Sequence, residues 1–103
     1  NGLQIDGDIA DVCNPYPIDK KFEAFNFHVI NIDGHDYDQI AAAFKEARET
    51  KGQPTAIIAK TTKGKNVSFM ENQASWHGVA PNDEQYAQAM QDLEKVGEAL
   101  CQK

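Results

Sequence analysis

The sequence has no run of about 18 or more apolar residues, so no helix is expected to cross a membrane. Asn1-Gly2-Leu3-Gln4 carries neither a basic segment nor an apolar stretch, and does not read as a signal peptide. Cysteine is scarce. Cys13 and Cys101 stand near opposite ends, too few and too far apart for a disulfide framework, and are read as reduced thiols of a cytoplasmic protein. Basic residues are also few: ten Lys and Arg against sixteen Asp and Glu leave a net charge of -6. That balance argues against sequence-independent nucleic-acid binding, which needs excess cations to neutralise phosphates. There is no initiating Met. The chain opens at Asn1, inside what reads as a turn, and is expected to be a fragment.

What is present suits one small domain. Hydrophobic residues make up 41% of 103 and charged residues 25%, enough for one sheet with a few helices. Asn1-Gly2, Asp6-Gly7, Pro15 and Pro17 predict a loop-like start through Pro17. A short helix is predicted from Asp19, as its N-cap, to about Phe25, with Phe22 and Phe25 on one face. Phe27 to Ile32, rich in aromatic and β-branched residues, reads as a strand ending at Asp33-Gly34. Asp36, with Gln39 three residues on, starts an amphipathic helix whose apolar positions are Tyr37, Ile40, Ala41, Phe44 and Ala47. Gly52 and Pro54 end it. Thr55 to Thr61 is a second strand, nearly continuous in apolar character, as parallel strands covered on both faces tend to be. Strand, helix and strand make a βαβ unit with parallel strands. A loop of nearly 20 residues follows, Thr62 to Pro81, a length that usually marks function or disorder. Asn82, with Gln85 as its capping-box partner, opens a C-terminal helix carrying Tyr86, Ala89, Met90, Leu93, Val96 and Leu100.

Several motifs fail on spacing. Asp6-Gly7-Asp8 opens like a calcium loop, but Ala10 and Pro17 occupy positions that need oxygen ligands. His28, His35 and His77 have no His-Glu-x-x-His spacing and no cysteine pair for zinc. Lys63-Gly64-Lys65 follows a strand, where anions often bind, yet Ala59 and Asn66 break the Walker pattern. Lys60, Lys63 and Lys65 are either an anion site or a solvated strand end. Ser75 and His77 lack a nucleophile elbow, and the sequon Asn66-Val67-Ser68 has no secretory context. Asp33-Gly34-His35-Asp36 reads as a strand-to-helix turn with its cap. His77, between Trp76 and Gly78, either meets a ligand and exchanges a proton near neutral pH or packs on Trp76.

Taken in order, five segments carry a resemblance: Asn1-Gly2-Leu3-Gln4-Ile5-Asp6-Gly7, Ile32-Asp33-Gly34-His35-Asp36, Pro54 to Thr61, Lys63-Gly64-Lys65, and Ser75-Trp76-His77-Gly78. Together they resemble transketolase, specifically the second half of its diphosphate-binding domain. Ser68-Phe69-Met70-Glu71-Asn72 and Ala80 to Tyr86 are similar to the N-terminal subunit of split bacterial transketolases. The resemblance implies a thiamine diphosphate enzyme that moves a two-carbon ketol unit from a ketose phosphate to an aldose phosphate. It implies that the Asn1 side-chain oxygen and the Leu3 carbonyl hold Mg²⁺ (or Ca²⁺), oxygen ligands suited to a hard cation. It places Lys63 near the diphosphate, and His77 by the cofactor and the donor sugar, to bond a hydroxyl or shuttle a proton. The family's Gly-Asp-Gly segment, whose Asp is another metal ligand, would precede Asn1. The glutamate that activates the aminopyrimidine ring lies in the family on a pyrimidine-binding domain, usually of a partner subunit. Asn66 stands where Gly is common, and tolerates positive φ better than most residues.

The expected fold is therefore α/β, part of a three-layer parallel-sheet thiamine-diphosphate-binding fold. Residues 1–103 would form a single domain: 1–18 a metal-motif loop, 19–61 a helix and the βαβ unit, 62–81 an active-site loop, 82–100 a C-terminal helix. Lys63 and His77 should face one cleft. Implied partners are sugar phosphates, a pyrimidine-binding domain or subunit, and a second copy in a dimeric complete enzyme, with no nucleic acid and no membrane. Such a fragment is expected to be inactive alone. The alternatives are an enzyme like 1-deoxy-xylulose-5-phosphate synthase, against which Trp76-His77-Gly78 argues, and a non-catalytic acidic interaction module that kept the fold.

Overall fold

Ile5 and Asp6 form a two-residue turn that folds the start of the chain back on itself. The turn joins β1 (Leu3–Gln4) to β2 (Gly7–Asp8), an antiparallel pair with Leu3 opposite Asp8 and Gln4 opposite Gly7. Gly7 takes φ +142°, a conformation that a side chain would oppose. One turn of helix, α1 (Ile9–Val12), follows at once, its Ala10 N–H donating to Asp8 Oδ1 at 2.8 Å. The stretch expected to be loop thus contains a hairpin and a helical turn, each too short for hydrophobic periodicity to mark. The computed structural model describes residues 1–102.

The next helix, α2 (Ile18–Ala24), has Pro17 as its N-cap, so Asp19 lies inside the first turn rather than capping it. There the carboxylate still favours the positive end of the helix dipole. At its other end Asn26 adopts φ +64°, and the N–H groups of Asn26 and Phe27 donate to the carbonyls of Glu23 and Phe22. This closure brings the Phe27 ring edge-on to Phe22, 5.1 Å between centroids. Phe22 therefore pairs with Phe27, while Phe25 points outward at 77% exposure.

β3 (His28–Asp33) and β4 (Thr55–Lys60) run parallel in register, His28 beside Thr55 through Asp33 beside Lys60. Val29 and Ile30, on opposite faces of the pleat, are both half-buried, so each face is partly covered. The helices α2 and α3 (Tyr37–Glu49) both pack on β3. Asp36 caps α3, its Oδ1 accepting from the N–H groups of Asp38 and Gln39. The Gln39 side chain reaches back to the Asp33 N–H, not to that of Asp36. His35 N–H donates to Asp33 Oδ1, so Asp33 to Asp36 is a structural turn. The covered stripe of α3 is Ile40, Ala43 and Ala47; Tyr37 and Phe44, expected on it, are 83% and 54% exposed. His28 Nε2 and Glu46 Oε1, 2.6 Å apart, tie β3 to the helix.

The last element, α4 (Asp83–Cys101), begins with the expected capping box: Asn82 Oδ1 accepts from the Gln85 N–H, and Gln85 Oε1 from the Asn82 N–H. The chain divides into two units. One is Cys13–Thr61, holding the parallel sheet; the other is Asn1–Val12 with the chain from Thr62 onward. The architecture is mixed α/β with a parallel sheet. Buried apolar side chains among the described residues are small: Ala43 and Ala56 in the first unit, Val67 in the second. With so little apolar area removed from water, turns and caps carry much of the local order.

Candidate functional site

Asn1, Leu3, Lys63 and His77 all belong to the unit formed by the two chain ends. Asn1 Oδ1 accepts from the Leu3 N–H at 2.9 Å, and the Gly2 carbonyl accepts from the Ile9 N–H at 2.9 Å. In an antiparallel ladder, bonded and non-bonded pairs alternate. A bonded Gly2–Ile9 pair therefore makes Leu3–Asp8 a non-bonded one, with the Leu3 N–H and C=O turned away from β2. The Asn1 side-chain oxygen and the Leu3 carbonyl thus share the outer edge of the hairpin. Two neutral oxygens on one edge are the kind of ligand a hard divalent cation takes. Among the described residues, no three His, Cys, Asp or Glu side chains group in a way that could hold a metal ion.

The segment from Thr62 to Pro81, expected to be a long loop, is built of successive turns with one 3₁₀ turn in it. Its first turn is a tight crossing: Gly64, at φ +66°, lies against the backbone of Met70, where a Cβ would stand 2.6 Å from the carbonyl oxygen. Asn66 takes φ +72°, a conformation that Asn tolerates better than most residues. Val67 is buried beneath, its N–H on the Gly64 carbonyl and its own carbonyl accepting from Met70 and Glu71. The Asn72 N–H donates to the Lys63 carbonyl at 2.8 Å, closing the loop just where Lys63 emerges. Lys65 is held by Glu71 at 2.9 Å.

Beyond Asn72 a 3₁₀ turn, Ala74–Trp76, delivers His77, whose N–H donates to the Ala74 carbonyl at 2.9 Å. The Trp76 indole Nε1 donates to the Phe69 carbonyl at 2.9 Å, and the two rings lie 5.2 Å apart. Trp76 thus packs on Phe69, and His77 is exposed. The 3₁₀ turn packs against β2, so the hairpin bearing Asn1 and Leu3 meets the turn that His77 follows. Lys63, half-buried, joins the same loop through Asn72.

Asp92, a residue not singled out in the sequence, shapes this unit. Asp92 Oδ2 accepts from both the N–H and the hydroxyl of Ser68, at 2.8 and 2.6 Å, tying the loop to α4. These bonds, the hydroxyl first, hold the Asp92 carboxyl below its ordinary value. The half-buried stripe of α4 is Gln85, Ala89, Asp92 and Val96, while Tyr86, Met90, Leu93 and Leu100, expected to be its apolar face, are exposed. A carboxylate in step with Ala89 and Val96 was the available signal. Among the described residues, no helix is long and apolar enough to cross a membrane.

Comparison with known proteins shows the family. The family model of the transketolase thiamine diphosphate binding domain matches residues 1–97. A 6-deoxy-6-sulfo-D-fructose transketolase subunit of Clostridium sp. (strain MSTE9) is 37% identical over 97 residues, 94% of this chain and 35% of that protein. An apulose-4-phosphate transketolase subunit from Phocaeicola vulgatus is 34% identical over 97% of this chain and 36% of its own length. The chain thus spans about a third of those subunits. The crystal structure of transketolase from Campylobacter jejuni superposes with a TM-score of 0.80 at 34% identity, over 88% of this chain and 14% of that one. The chain therefore belongs to the transketolase family of transferases, within its thiamine diphosphate binding domain.

Proposed function

We propose that this chain is part of a transketolase that uses thiamine diphosphate and Mg²⁺ (or Ca²⁺) to move a two-carbon ketol unit from a ketose phosphate to an aldose phosphate. The observation that carries this reading is the packing of β2 against the 3₁₀ turn just before His77, with Asn1 and Leu3 on the same hairpin. Asn1 Oδ1 and the Leu3 carbonyl would hold the metal. Lys63, a point charge on a flexible stem, would lie against diphosphate oxygens and offset their charge in an otherwise acidic chain. When bound, the cofactor supplies the electron-accepting chemistry that lets a ketose carbon–carbon bond break. His77 would hydrogen-bond a sugar hydroxyl and hold or move its proton during that cleavage.

These residues form part of a site. The remaining metal ligand and the glutamate for the aminopyrimidine ring would come from sequence beyond these 103 residues and from a pyrimidine-binding domain or subunit. The complete enzyme would be a dimer working in the cytoplasm. Relatives named as transketolase subunits support an assembly of this kind. The chain alone would bind thiamine diphosphate no more tightly than millimolar and would not catalyse.

The test is a ketol-transfer assay on the chain carried within its complete polypeptide and joined by its pyrimidine-binding partner. Transfer that requires both thiamine diphosphate and a divalent cation is expected. An assembled protein that binds neither would contradict the reading and favour a non-catalytic module.

A further inference from the structure

We propose that Asp92 is a positioning residue for His77, holding the loop that carries it through Ser68, Phe69 and Trp76. The proposal rests on the reading above only in giving His77 its place beside cofactor and sugar. Its structural basis is a chain of contacts within one unit. Asp92 Oδ2 accepts from the Ser68 N–H and hydroxyl, 24 positions apart in sequence, and Oδ1 accepts from the Gln88 side chain at 2.9 Å. Phe69, next to Ser68, gives its carbonyl to the Trp76 indole at 2.9 Å and lays its ring 5.2 Å from it. Trp76 ends the 3₁₀ turn, and His77 follows with its N–H on Ala74.

A packing residue would serve as well at position 92 if burial alone were at stake, since Ala89 and Val96 flank it on the same half-buried stripe. A carboxylate there does something an alkyl group cannot. It fixes Ser68 by two charge-assisted bonds, which set the orientation of that backbone as well as its distance. Lys95, one turn along, adds favourable charge, and the carboxyl stays ionised at neutral pH.

The test uses this 103-residue chain, in which Trp76 is the sole tryptophan and so reports the loop directly. Asp92→Ala should shift Trp76 emission to the red, raise its quenching by acrylamide and move the His77 imidazole proton resonance. Exchange of the Ser68 amide should quicken several-fold. Ser68→Ala, which keeps the amide bond, should give a smaller change of the same kind. The double variant should match Asp92→Ala, because both act on one contact. Asp92→Asn, which keeps one acceptor oxygen, should restore part of the native emission. Unchanged Trp76 emission and His77 resonance in Asp92→Ala would overturn the proposal, even if thermal stability fell. Should that variant not fold, native emission in Ser68→Ala would overturn it equally. None of these signals needs cofactor, so they are independent of the ketol-transfer assay. A moved loop in a protein whose assembly binds no thiamine diphosphate would sink the functional reading and leave the positioning role standing.

Discussion

A methyl group at Gly64 would stand 2.6 Å from the carbonyl oxygen of Met70, so closely do the two backbones cross at the foot of the loop. Gly64 is also left-handed at φ +66°, and Lys63 leaves the loop immediately before it. Gly64→Ala therefore meets both a backbone clash and an unfavourable conformation. We expect a loss of roughly 1–3 kcal/mol in unfolding free energy, read by urea titration at Trp76. An unchanged midpoint would show that the crossing is not required.

The reciprocal cap at Asn82 and Gln85 sets where α4 begins, and α4 carries Asp92. Asn82→Ala should lower stability by about 1 kcal/mol, and Asn82→Asp should retain most of it. Urea unfolding followed by far-ultraviolet circular dichroism measures both. Equal loss in the two variants would rule out the side-chain oxygen as the cause.

Acid should weaken two carboxylate contacts together. The Gln39 backbone N–H, then the Gln39 side chain, hold Asp36 below its ordinary 3.8, and the Ser68 hydroxyl and amide do so for Asp92. A depressed folded pKa gives stability that is fully present above 3.8 and is lost as pH falls through the folded value. Asp36→Asn and Asp92→Asn should each flatten the fall in unfolding free energy below that pH. A slope unchanged in both variants would contradict the assignment.

Much of this architecture is legible in the residues themselves. The caps at Asp36 and Asn82, the strands around Val29 and Ile57, and the helices between and after them follow from periodicity and capping chemistry. Other features are not local. The β1–β2 hairpin has two residues per strand, too few to alternate, and its pairing depends on what Gly7 permits. The inner faces of α3 and α4 escape the pattern because Tyr37, Phe44, Met90 and Leu93 are apolar yet exposed, while Ala43 and Asp92 lie on the covered sides. Hydrophobicity marks a stripe but does not say which neighbour covers it. The Ser68–Asp92 bond joins a loop to a helix across 24 positions, and no spacing rule reaches that far.

If the hairpin edge holds the metal as proposed, substitutions there should change metal affinity in the complete assembly. Asn1→Ala would remove one of the two proposed oxygen donors, and Mg²⁺ affinity should fall roughly tenfold or more. Asn1→Asp, which keeps an oxygen there, should bind the ion at least as well as alanine at this position. Metal titration of cofactor binding measures both, and an Asn1→Ala protein with native Mg²⁺ affinity would remove Asn1 from the site.

The most direct measurement of the central claim is calorimetric titration of thiamine diphosphate, with Mg²⁺, into the complete assembly containing this chain, native and Lys63→Ala. A charge-assisted contact to a diphosphate oxygen predicts measurable binding by the native protein and a loss of about tenfold or more in the variant. Equal affinity in the two proteins, or no binding by the native one, would contradict the account.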